Sequence, residues 1–123
     1  MKKASSDLLL ADVNTDHWAT CALTQLGFIR LSSNPAVSPA AKSPSEAAAL
    51  LAAMTGDALH VYLESLPSPA RSREEFEKTL GARQVTDAYL LMLARHYNAT
   101  FVTFDKKLKD LAGPETRVQI LGA

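Results

Sequence analysis

From residue 86 to about residue 98, apolar side chains recur at three- and four-residue intervals. Leu90, Leu91, Leu93, Ala94 and Tyr97 line one face of an α-helix and turn it toward a core. Thr86 and Asp87 open that helix. The next run, Thr100-Phe101-Val102-Thr103-Phe104, is dense in β-branched and aromatic residues and predicts a buried strand. It breaks at Asp105 into a short helix over 106–112, closed by Gly113-Pro114, and residues 117–121 (RVQIL) predict a last strand. Toward the front, residues 18–23 predict a strand that leads into a helix over 24–31. Ser43-Pro44-Ser45-Glu46 opens an Ala/Leu-rich helix ending at Gly56: Ser43 caps it, Pro44 suits the first turn and Glu46 completes a capping box. Residues 59–63 (LHVYL) predict a strand. Ser72-Arg73-Glu74-Glu75 has the form of a second capping box and predicts a charged helix that stops at Gly81.

Two breaks interrupt this series: the Pro- and Ser-rich stretch 32–44, with three prolines, and Pro67-Ser68-Pro69. Neither is long enough to link two domains, so residues 1–123 are expected to form one. Strands alternating with helices favour a mostly parallel sheet covered by helices, an α/β fold.

Composition narrows the partners. Hydrophobic residues make up 47% and charged residues 21%, which suits a globular chain and not a disordered one. Thirteen basic and thirteen acidic side chains cancel. Bulk positive charge is therefore excluded as a means of holding nucleic acid, while a local basic strip is not. No apolar run approaches the roughly 18 residues of a membrane span. Cys21 is the single cysteine, too few for an internal disulfide, which fits a reducing compartment and the cytoplasm. His17, His60 and His96 lack paired ligand spacing, which argues against zinc.

Chemistry is expected where helices begin beyond the carboxyl ends of strands. Asp105 follows the 100–104 strand and Asp87 sits in the first turn of the 86–98 helix. Two carboxylates at one sheet end repel each other unless a divalent cation lies between them, and hard oxygen ligands suit Mg²⁺ or Mn²⁺. A plainer reading stands beside this one: the helix dipole alone favours Asp87, and Asp105 is an ordinary N-cap. Position does not decide between the two. Lys106, Lys107 and Lys109 form a basic turn beside Asp105, either a solvated helix face or an approach for a phosphate backbone.

The run WATCALTQLGFIRLSSNP (residues 18–35) resembles the second strand and following helix of PIN-domain proteins, most closely the VapC-type toxins of toxin–antitoxin pairs. QVTDAYLLMLA (residues 84–94) and Thr103-Phe104-Asp105 are similar to that branch's later acidic motifs, in the same order. The resemblance covers residues 18–122. It implies a three-layer α/β/α sandwich, a Mg²⁺- or Mn²⁺-dependent endoribonuclease acting on RNA, dimerisation, and inhibition by an antitoxin protein. By match, Asp87 and Asp105 are metal ligands or position the attacking water. Gln25 stands where many members carry Glu, and Thr24 and Thr103 are hydroxyl neighbours of the site. Lys106 and Lys107 of the basic turn are expected to meet substrate phosphates if that turn is an approach for the backbone and not a solvated helix face.

The front departs from the family. LLLADVN (residues 8–14) imitates the first strand with its Asp12 ligand, but only Thr15, Asp16 and His17 precede Trp18. A parallel crossover needs about a dozen residues, so the usual first crossover is lacking and residues 1–17 are atypical. The segment is left to form a hairpin with the second strand, to be a tail, or to cede its place to a neighbouring chain. Apolar surface bared by the missing crossover predicts a homodimer or higher homo-oligomer. Two functions follow: a metal-dependent ribonuclease, weakened by Gln25 and by the uncertain place of Asp12, or an inactive PIN-fold interaction module.

Overall fold

The computed structural model describes residues 9–12, 16–37, 39–77, 79, 81–103 and 106–120. Among the described residues, five strands and four α-helices follow in the order β1 (Leu9–Asp12), β2 (Trp18–Thr20), α1 (Ala22–Ser32), α2 (Pro44–Thr55), β3 (His60–Tyr62), α3 (Val85–His96), β4 (Ala99–Thr103), α4 (Leu108–Ala112) and β5 (Val118–Ile120). They build the three-layer α/β/α arrangement expected of the alternation.

The sheet runs β3-β2-β1-β4-β5. β2 pairs with β3, and β4 with β5, in parallel, while β1 is antiparallel to both β2 and β4. Four strands therefore share one direction and β1 opposes them. The reversal follows from chain length: residues 13–17 are enough for a hairpin return and too few for a crossover. Of the arrangements open to the first segment, the hairpin is the one adopted, with Leu10 opposite Ala19 and Ala11 opposite Trp18.

α3 and β4 form the centre. Residues 88–94 of α3 are all buried, so the helix is enclosed on every side and not only along one stripe. β4 is covered on both faces, with Phe101 and Thr103 wholly inaccessible, as a strand flanked by two others requires. Asn98, with φ 53°, makes the tight return between α3 and β4. Asn tolerates this left-handed conformation better than most residues.

One capping box forms and the other does not. The Ser43 hydroxyl accepts from the Glu46 N–H (3.1 Å) and the Glu46 carboxylate accepts from the Ser43 N–H (2.8 Å), starting α2. Ser72 instead donates its hydroxyl to the Ser68 carbonyl (2.9 Å), and Glu75 pairs with Arg95. With both cap groups diverted, the helix predicted from residue 72 to Gly81 is replaced by 3₁₀ turns at Pro69–Arg71, Arg73–Phe76 and Ala82–Gln84. The predicted strand over 18–23 likewise ends at Thr20, because Cys21 becomes the cap of α1.

Candidate active site

Two helices begin at one end of the sheet. α1 follows β2 directly and so starts at that strand's carboxyl end. α3 precedes β4 and runs back along it: twelve residues of helix span about 18 Å and five of strand about 16 Å. The first turn of α3 therefore returns to the level of Thr103, the last residue of β4. The two starts are neighbours, since Ala22 and Leu23 from α1 and Val85 and Thr86 from α3 line one cleft.

Asp87 occupies the first turn of α3, half-buried, where the helix N-terminus favours a negative charge. Gln25 lies in the first turns of α1. Its Nε2 donates to Thr20 Oγ1 (2.9 Å), and that hydroxyl in turn meets His60 Nε2 (2.8 Å). The His60 ring packs on Trp18 at 4.6 Å between centroids, and the Trp18 indole donates to Asp57 (2.8 Å). This indole bond, with a second from the Leu59 N–H, holds the Asp57 carboxyl below the usual carboxylate range. Trp18 and Thr20 share a face of β2 by strand alternation, and the register sets His60 opposite Trp18. Sequence reasoning weighed His60 only as a zinc ligand and missed this chain of contacts. Alternation could have joined Trp18 to Thr20, but nothing local announces the β2–β3 register.

The expected site residues divide. Lys106 and Lys107 are exposed on the turn after β4. Asp105 lies outside the described residues. Thr24 does not face a substrate: it is 2% exposed, and its hydroxyl accepts from the Cys21 N–H (3.0 Å) and donates to the Cys21 carbonyl (3.1 Å), closing the cap of α1. Thr103 is fully buried and cannot touch RNA from where it stands. Asp12 is at the wrong end: reversal of β1 sets it opposite Ala99, the first residue of β4, and not beside Thr103. The short connection that forbids a parallel first strand is what carries Asp12 away from the end where α1 and α3 begin. Among the described residues, no three His, Cys, Asp or Glu side chains gather as a metal site.

On another side of α3, Arg95 pairs with Glu75 and donates to Thr116 (2.7 Å), bordering a cavity of about 280 Å³ that Glu74 and Glu115 also line. This tie joins the end of α3 to the 73–76 turn and to the segment before β5.

Comparison with known proteins agrees with this architecture. The PIN domain family model matches residues 2–114. The chain is 41% identical over 106 residues to Ribonuclease VapC38 of Mycobacterium tuberculosis, covering 85% of this chain and 74% of that protein. It is 34% identical over 110 residues to Ribonuclease VapC39 of the same organism (89% and 79% of the two chains). It is 39% identical over 105 residues to Ribonuclease VapC44, also from that organism (85% and 73%). With its later acidic motif at the start of α3 and a family match over nearly its whole length, this chain belongs to the PIN-domain family, in the VapC-type branch.

Proposed function

We propose that this chain is an endoribonuclease of the VapC toxin type, cutting RNA at the sheet end where α1 and α3 begin. The observation that carries the reading is the start of α3. Its first turn carries the half-buried Asp87, and the helix start shares a cleft with the start of α1, in a chain akin to three proteins named as ribonucleases.

A divalent cation, Mg²⁺ or Mn²⁺, is part of the proposal, and the donors on hand fit it in kind. Asp87 offers carboxylate oxygen. Gln25, whose nitrogen is engaged by Thr20, keeps its carbonyl oxygen for a cation or a water. They fall short in number, so Asp105 has to complete the site. With Gln25 neutral and Asp12 at the far end of the sheet, charge is lower than in a four-acid centre and the cation is held more weakly. When bound, such an ion lowers the pKa of a water and offsets charge on the phosphodiester. Asp87 and Asp105 would hold the ion and position the attacking water, the Gln25 carbonyl would accept a hydrogen bond from that water, and Lys106 and Lys107 would steer the backbone phosphates. Thr24 acts from below, closing the cap of α1. The setting is the cytoplasm, where an antitoxin protein restrains the activity.

RNA cleavage that requires Mn²⁺ and is lost in D87N and D105N, with unchanged circular dichroism, supports the enzyme. A chain that binds no Mn²⁺ at micromolar concentration in calorimetry overturns it and leaves the second reading, an oligomeric interaction module. That second reading is favoured by the displaced Asp12 and by apolar surface on the α1–α2 pair, where Leu26, Leu50 and Met54 are exposed. In either case we propose self-association through this surface.

A further inference from the structure

We propose that His60 is a positioning residue of the site: through the Thr20 hydroxyl it fixes which end of the Gln25 amide is offered to the cation. The inference rests on the ribonuclease reading, in which the Gln25 carbonyl serves the cation or its water, and adds to it a residue from outside the acidic motifs.

Hydrogen counting around Thr20 leaves two arrangements. Its Oγ1 stands between Gln25 Nε2 at 2.9 Å and His60 Nε2 at 2.8 Å, and the residue is 4% exposed. A hydroxyl gives one hydrogen and receives through two lone pairs. With the Gln25 nitrogen donating to Oγ1, the Thr20 hydrogen goes to His60 Nε2. The ring is then neutral with its own hydrogen on Nδ1, and Gln25 Oε1 is left for the site. In the reverse arrangement His60 Nε2 carries a hydrogen and donates it to Thr20. The hydroxyl hydrogen then turns to Gln25, whose amide rotates by half a turn so that Oε1 accepts it. The NH₂ group takes the carbonyl's place, and a donor cannot bind a cation. If both neighbours donate at once, the hydroxyl hydrogen loses either acceptor at a position water barely reaches, which burial penalises.

The fold holds the ring where this relay needs it. The β2–β3 register sets His60 opposite Trp18, whose indole packs on the ring at 4.6 Å and is itself anchored to Asp57 at 2.8 Å. Thr20 ends β2 and Gln25 lies in the first turns of α1, so the contacts run from the edge strand β3 to the start of that helix. Around the ring, β2 contributes the neutral Trp18 and Thr20, and the turn before β3 contributes the Asp57 carboxylate, which feels charge on His60. Gln25, reached through Thr20, is neutral. Imidazole is the side chain that ordinarily gains its proton between about pH 8 and pH 5, and imidazolium has no acceptor, so acid imposes the reverse arrangement.

Nitrogen-15 NMR of the metal-free chain tests the relay without RNA. At pH 8 His60 is expected as the Nδ1–H tautomer, with Nε2 unprotonated. On acidification the Gln25 side-chain amide signals should move with the His60 midpoint, and T20V should uncouple them. An Nε2–H tautomer at pH 8, or Gln25 signals indifferent to His60, overturns the proposal and leaves the ribonuclease reading standing. Calorimetry with Mn²⁺ is the second readout, on variants whose circular dichroism is unchanged. H60L gives the Thr20 hydrogen no acceptor and is expected to bind Mn²⁺ about tenfold more weakly at pH 8, the lower end of what losing an outer partner of a metal site costs. H60Q, whose carbonyl oxygen restores an acceptor, is expected to bind as the unaltered chain does at pH 8 and to lose less affinity on going to pH 5. Carboxylates protonate alike in both proteins, so that difference belongs to His60. Equal Mn²⁺ affinity in H60L and the unaltered chain overturns the proposal alone. If the unaltered chain binds no Mn²⁺, the ribonuclease reading falls and the positioning role falls with it.

Discussion

Replacing Thr24 by Val separates a structural hydroxyl from a substrate-binding one. The substitution keeps shape and β-branching, so helix propensity and packing change little. It removes one oxygen that accepts from the Cys21 N–H at 3.0 Å and donates to the Cys21 carbonyl at 3.1 Å. The carbonyl keeps a partner, because the Gln25 N–H also reaches it at 3.0 Å. The Cys21 N–H does not, and Cys21 is only 1% exposed, so water cannot replace the lost acceptor. One buried unsatisfied donor costs about 1–3 kcal/mol. Taking about 2 kcal/mol, and about 4 °C per kcal/mol for a chain of this length, Tm should fall by roughly 8 °C. Differential scanning calorimetry of T24V, with T24S as the hydroxyl-retaining control, measures it. RNA binding per folded molecule should be unchanged at a temperature where both proteins are folded. A T24V protein with unaltered Tm and weakened RNA binding would refute the cap argument and return Thr24 to the substrate surface.

D87N should abolish Mn²⁺-dependent cleavage while D12N leaves it intact, since β1 carries Asp12 to the opposite end of the sheet; equal losses in a gel-based cleavage assay would contradict the strand register. Q25E should bind Mn²⁺ more tightly in calorimetry, because a carboxylate adds charge where the amide offers one oxygen. R95M should cost about 2 kcal/mol of stability, roughly 8 °C in Tm, because it leaves the Thr116 hydroxyl, 8% exposed, without its donor and Glu75 without its cation. Acid should destabilise through two carboxyls. Glu46 is depressed by the Ser43 N–H and hydroxyl, and Asp57 by the Trp18 indole and the Leu59 N–H. A lowered folded pKa gives stability that is present above the ordinary values of 4.5 and 3.8 and fades as pH drops through the folded ones. Tm measured from pH 6 downward should therefore begin to fall near pH 4.5, and W18F, which removes the largest cause of the Asp57 shift, should reduce that slope.

Local signals carried much of this structure. The Ser43–Glu46 cap, the apolar periodicity of α3, the β-branched run of β4 and the Gly113 stop after α4 are each decided within one or two turns of chain, where sequence and physics have the same range. The place of Asp87 in the first turn of α3 was legible for the same reason. The length of the 13–17 connection also excludes a parallel first crossover.

Other features were decided by residues far apart in the chain. Ser72 and Glu75 have the pattern of a cap, yet Ser68 and Arg95 take their hydrogen bonds, and the expected helix gives way to 3₁₀ turns. Thr24 reads as a site hydroxyl until its burial against Cys21 is seen. The Gln25–Thr20–His60 chain needs the β2–β3 register, which pairs residues about forty positions apart. Sequence by itself determined most of the segments that become helix or strand and that the first strand cannot join the second by a parallel crossover, because those choices rest on local geometry and chain reach. Only the tertiary structure decided which polar groups meet, because a hydrogen bond goes to whichever partner folding brings within about 3 Å, and that partner's number in the chain leaves no local trace.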